Sequence, residues 1–167
     1  MKTPSAPGIT AAGFFRVTPI STNKAGRVLD LYARQWQGRA LRNDEYVISA
    51  DEKTSIQARR RKHATHACRP RTPMRVEHEY FRSGAWTYIA ALDVHHARIF
   101  GRCEPSNGIA PFGRLVEQVM TRPPYNDARQ VFWIVNNCSA HRGAKAALRL
   151  RSQYPRLTLV HAPIHAS

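Results

Sequence analysis

Residues 130 to 135 read QVFWIV, and this run constrains the fold more than any other feature of the chain. A strand packed against a single layer alternates apolar and polar positions. From Val131 to Val135 no polar position interrupts, so both faces need cover. A strand covered on both faces belongs at the centre of a sheet flanked by helices. The run ends directly in Asn136 and Asn137. Strands that end in this way deliver metal-binding carboxylates to reactive edges, but here the first position past the strand is an amide.

Other segments supply the partners of that strand. Residues 45 to 53, EYVISADEK, form a compact apolar strand ending in Asp51 and Glu52. Residues 85 to 94 and 97 to 104 are two apolar strands separated by His95 and His96, which predicts a hairpin with Asp93 near its turn. Helical spacing places Val28, Leu31, Tyr32 and Trp36 on one face of residues 25 to 37, before Gly38. The same spacing aligns Phe112, Leu115, Val116 and Val119 within residues 111 to 120. Residues 141 to 154 predict a two-sided helix, with Ala147, Leu150 and Tyr154 toward the core and Arg142, Lys145 and Arg149 opposite. A last strand follows within RLTLVHAPIHAS. Three early strands can therefore pair antiparallel, and two later ones, reached through helices, should run parallel. Residues 1 to 24, rich in Pro, Gly, Ser and Thr, read as a flexible N-terminal tail before a single domain over 25 to 167.

Charge narrows the partner. Lys and Arg number 26 against 11 Asp and Glu, a formal net charge of +15. Such an excess points to a polyanion. The charge clusters along the chain, which favours nucleic acid. No apolar run approaches the ~20 residues of a membrane span. Arginine predominates, which suits bidentate phosphate contacts. Residues 59 to 71, RRRKHATHACRPR, hold six Lys or Arg and no acid, and read as a basic loop. Arg59, Arg60, Arg61 and Lys62 in that loop, with the Arg142, Lys145 and Arg149 face, are the candidate DNA contacts. Cys68, Cys103 and Cys138 are odd in number and widely spaced, which predicts a reducing, cytoplasmic setting.

Two strand ends carry the candidate chemistry: Asp51 after YVISA, and Asn136 after VFWIV. If their strands are neighbours, the two side chains share one edge. Phosphodiester cleavage by paired Mg²⁺ ions needs clustered acidic side chains at such an edge. Spacing alone leaves open whether these are ordinary strand-end residues.

Five stretches in order, YVISADEKTSIQAR, AALDVHHARIFGRCEP, LVEQVM, VFWIVNNCSAHRG and LVHAPIHAS, resemble the catalytic domain of bacterial insertion-sequence transposases of the mariner-like, DDE-type superfamily. The resemblance runs from about residue 25 to the end. It implies an α/β, ribonuclease H-like (retroviral-integrase-like) fold with a five-stranded mixed sheet and flanking helices. It also implies Mg²⁺- or Mn²⁺-dependent DNA strand cleavage and transfer. The family's first catalytic Asp, in its DEK context, falls on Asp51. Its second acid falls on Asn136, with Asn137 and His141 matching the Asn and His that follow. The third acid, on a helix beyond an HAS stretch, has no counterpart before Ser167. These departures predict a truncated domain without its final helix and with little or no activity of its own. The alternative is a non-catalytic module that binds DNA, or that pairs with a full-length transposase or with itself and inhibits.

Other groupings point to structure more than to chemistry. His63, His66, Cys68 and His78 lack the spacing of a common zinc module. Cys138 and His141 offer only two ligands. Ser139 and His141 lack the nucleophile elbow of a hydrolase. Asp93 reads as an acceptor for turn amides. Glu52, one residue from Asp51, should face the other side of the sheet and serve as an ion-pair partner.

Overall fold

The computed structural model describes residues 19–138 and 144–163. Among the expected functional residues, Ser139, His141 and Arg142 lie outside that range. Helix α1 (Pro19–Tyr32) is followed by two short strands, β1 (Gln35–Trp36) and β2 (Arg39–Ala40). Strand β3 (Glu45–Arg61), strand β4 (Tyr80–Asp93) and strand β5 (Arg98–Glu104) come next. Helix α2 (Ile109–Met120), strand β6 (Gln130–Val135), helix α3 (Ala144–Gln153) and strand β7 (Leu157–His161) complete the order. The main sheet has five strands in the order β5-β4-β3-β6-β7. Its first three pair antiparallel, and β6 and β7 run parallel to β3. This is the ribonuclease H-like arrangement. Among the described residues no helix is long and apolar enough to cross a membrane.

The strand β6 has the bounds its apolarity predicts, and its side chains divide between two layers. Val131, Trp133 and Val135 join the cluster under α2 and α3, with Ile48, Ile89, Phe112, Leu115 and Leu150. Phe132 and Ile134 join a second cluster under α1, with Leu31, Val47 and Val160. Each large side chain removed from water contributes roughly 1.5–3 kcal/mol. Helix α2 buries Phe112, Leu115, Val116 and Val119, as its spacing predicts. In α3 the buried positions are Ala146 and Leu150, while Ala147 and Tyr154 are half-buried, so the inward face is turned by about one residue from the expected one.

Helix α1 begins at Pro19, within the segment read as a tail, and three further boundaries differ from expectation. Helix α1 stops at Tyr32, four residues before Trp36. Arg34 takes φ 57°, which ends the helical path, and Trp36 instead packs its ring 4.9 Å from Phe132. The strand read as residues 45 to 53 continues to Arg61. The basic segment is therefore not a loop along its first three residues. Arg59, Arg60 and Arg61 pair with Arg82, Phe81 and Tyr80 of β4, which itself starts five residues before the expected position 85. Together β3 and β4 form a two-stranded ribbon beyond the sheet. Register shifts between Lys53 and Ile56, and between Gln57 and Arg59, disrupt the two-residue periodicity that would have announced the strand.

Buried carboxylates fasten the connections. Asp93 accepts the amides of His95 and His96 at the β4–β5 turn, both at 3.3 Å, and the Tyr125 hydroxyl at 2.7 Å. Burial, then the neighbouring Asp93, raises the Tyr125 pKa. Glu45 takes two hydrogen bonds from Arg39, at 2.8 and 3.0 Å, and the amide of Arg42. Glu104 takes Arg114 and Arg102, which hold its carboxyl down at about 2.

Candidate functional site

The parallel register sets Ala50 opposite Val135, so the next residues on each strand, Asp51 and Asn136, emerge side by side. Both side chains stand on the α1 side of the sheet, since Ala50 and Val135 point into the α2 layer. Asn136 Nδ2 donates to Asp51 Oδ1 at 3.1 Å. Asp51 lies within β3 and not at its end, contrary to the expected strand boundary. It marks an edge because β6 stops beside it. The pair borders a cleft of about 390 Å³ lined by Val28, Tyr32, Ala50, Asp51, Ile134 and Asn136.

Backbone turns orient the pair. The amide of Cys138 donates to Asn136 Oδ1 at 2.8 Å, a tight side-chain-closed turn directly after β6. That bond decides which end of the Asn136 amide faces Asp51. A flipped amide would set NH₂ against N–H, and oxygen against carboxylate oxygen. The Glu52 amide donates to the same Asp51 oxygen at 2.9 Å. Asn137 turns the other way and donates to the Ala162 carbonyl at 2.9 Å, tying down the chain after β7. The two asparagines thus bind β6 to its neighbours on both sides.

Glu52 faces the α2 side, as strand alternation requires, but its partner is not a cation. Asn107 Nδ2 donates to Glu52 Oε1 at 3.0 Å and lies 3.6 Å from Cys138 Sγ. Asn107 precedes α2, and its own Oδ1 receives the Gly108 amide at 2.7 Å. The sequence expectation missed Asn107. Its signal was the turn-forming SNG stretch, residues 106 to 108, which announces a turn and says nothing of a reach to β3.

These donors do not fit a pair of divalent cations. Mg²⁺ requires hard, anionic oxygens. Among the described residues the α1 side of this edge offers one carboxylate, Asp51, with Glu52 turned to the other face, and beside Asp51 an amide whose NH₂ is aimed at that carboxylate and whose oxygen already takes a backbone N–H. Among the described residues no group of three His, Cys, Asp or Glu side chains could hold a metal ion. His63 contacts Glu77 Oε2 at 2.6 Å, and His78 lies 3.7 Å from the same carboxylate.

The described candidates for DNA contact lie on the ribbon and on α3. Arg59, Arg60, Arg61 and Lys62 are all exposed on the ribbon. Arg59 lies 4.3 Å from the Tyr80 ring centroid and Arg60 5.7 Å from that of Phe81, so aromatic faces hold the guanidinium groups at the surface. Lys62 forms an ion pair with Glu79. On α3, Lys145 is exposed and Arg149 half-buried.

No family model matches this chain, and no curated protein matches it. Among solved structures it is similar to the Mos1 mariner paired end complex with Mn, at 13% identity over 96% of this chain, with a TM-score of 0.48. It is also similar to the Mos1 strand transfer complex, at 11% identity over 95% of this chain and a TM-score of 0.49. A pre-cleavage Mos1 transpososome gives 16% identity, 95% coverage and a TM-score of 0.46. The alignments cover 49%, 47% and 48% of those chains, so this chain spans about half the length of the solved structures it matches.

Proposed function

We propose that this chain is a DDE-type, insertion-sequence transposase domain that binds DNA and is impaired in strand cleavage. The observation that carries the reading is the meeting of Asp51 with Asn136 at 3.1 Å across adjacent parallel strands. Those are the two positions onto which the family's first and second acids fall. Their convergence on one edge is what metal-dependent phosphoryl transfer needs, and the amide at position 136 is what withholds it. In the intact family Mg²⁺ or Mn²⁺ activates the nucleophile and stabilises the leaving oxygen. Removing one of the carboxylates leaves too little negative charge to hold two such ions.

A second reading is favoured by the ribbon. Its exposed arginines and Lys62 suit phosphate contacts whether or not the edge is competent. A module of this kind would occupy DNA or pair with an intact transposase, or with a second copy of itself, and inhibit it.

Incubating the purified chain with duplex DNA carrying the element's ends, in Mg²⁺ and separately in Mn²⁺, tests both. Binding without cleavage is expected. Metal-dependent nicking that Asp51→Ala abolishes would overturn the impairment. Absence of any salt-sensitive DNA binding would overturn the DNA-binding part of both readings.

A further inference from the structure

The strand-end edge carries a closed circuit of contacts that ordinary α/β edges do not need. Starting from Asp51, Oδ1 accepts Asn136 Nδ2. Asn136 Oδ1 accepts the Cys138 amide. Cys138 Sγ faces Asn107 Nδ2, which donates to Glu52 Oε1, and the Glu52 amide returns to Asp51 Oδ1. Five residues from β3, the turn after β6 and the start of α2 are linked around one ring. Only Asp51 and Glu52 in it bear charge, and each accepts a side-chain amide.

A carboxylate at position 136 would change this circuit at one bond. Two carboxylate oxygens at about the same 3.1 Å separation repel, so without a cation one must take a proton or the strand ends must part. The amide removes the repulsion and adds a donor. The Cys138 turn is indifferent, because Asp and Asn both offer it an oxygen. We infer that Asn136 closes this edge without a metal ion, its amide supplying to Asp51 the positive partner that a divalent cation would otherwise supply. Asn107 is the positioning residue that carries the closure on to α2. The inference uses the family reading only in assigning the cation's place. That the metal-free ring links β3 to the turn after β6 stands on geometry alone.

The test is thermal unfolding of the full chain and its variants in EDTA, Mg²⁺ and Mn²⁺, with free Mn²⁺ followed by electron paramagnetic resonance. The wild-type chain should unfold at the same temperature in all three and leave the Mn²⁺ signal unchanged. Asn136→Asp should unfold about 3 to 8 °C lower in EDTA. It should recover at least half of that loss in Mn²⁺ and reduce the free Mn²⁺ signal. The exchanged pair, Asp51→Asn with Asn136→Asp, restores one amide and one carboxylate. It should unfold near the wild-type temperature and above the single variant, and it keeps the test decisive if Asn136→Asp alone fails to fold. A wild-type chain stabilised by Mn²⁺ would overturn the inference. So would an Asn136→Asp chain as stable as wild type in EDTA, or an exchanged pair no better than the single variant. Loss in EDTA, rescue by the exchange and no response to Mn²⁺ would uphold the metal-free closure while refuting the transposase metal positions.

Discussion

Strand β3 passes through two environments, and the contrast between them separates what holds this protein together from what it presents. Over residues 45–50 it pairs with β6 in the middle of the sheet, with Val47, Ile48 and Ala50 buried. Over residues 51–61 its only strand partner is β4, and Arg59 to Arg61 are exposed. The backbone ladder with β4 continues from one half to the other. Ladder hydrogen bonds therefore persist without a core, but a pair of strands is marginal without packing on a face. In the ribbon, Arg59 and Arg60 lie over Tyr80 and Phe81 at the surface and remain open to an anion.

The contrast can be broken most severely from the core. Trp133→Ala removes a fully buried ring on β6 and should cost about 3–5 kcal/mol, measured by denaturant unfolding. An equal loss from Phe81→Ala in the ribbon would show that the two halves do not differ in the way described.

A smaller effect, on the sheet side only, comes from Glu104. Arg114, then Arg102, lowers its carboxyl from the ordinary 4.5 to about 2 in the folded chain. As pH falls below 4.5 the unfolded chain takes up the proton first, so the stabilisation present at neutral pH should fade between about 4.5 and 2. Melting temperatures across that window should show a slope that Glu104→Gln reduces. An unchanged slope would place the acid sensitivity elsewhere.

The smallest effect on stability, and the most diagnostic for function, should come from the ribbon arginines. Arg59→Glu combined with Arg60→Glu should shift stability by no more than about 0.5 kcal/mol. The same change should lower the slope of log affinity for DNA against log salt by about 2, near one per lost phosphate contact. An unaltered slope would move the DNA surface to α3 or to another face.

Legibility in the sequence followed burial. The apolar run of β6, the inward stripe of α2 and the parallel strand β7 were readable because a buried face demands a period in the side chains. The distal half of β3 was not, since both of its faces meet water and its register shifts disturb the alternation. Charge density there suggested a loop. Trp36 matched helical spacing, but the backbone at Arg34 turns it against Phe132. Alternation gives Glu52 its face and not its partner, because Asn107 lies 55 residues further along the chain.

The residues alone determined that a central apolar strand ends in an amide, that Asp51 follows a second apolar run, and that the chain carries an excess of 15 positive charges. Those are properties of composition and local period, which need no knowledge of neighbours. Only the tertiary structure decided that Asp51 and Asn136 meet, through the parallel register of β3 and β6. It likewise decided that the amide turns its NH₂ toward the carboxylate, since a turn amide occupies its oxygen. Hydrogen bonds between distant segments depend on which atoms the fold brings within about 3 Å, and the order of residues along a chain does not contain that distance.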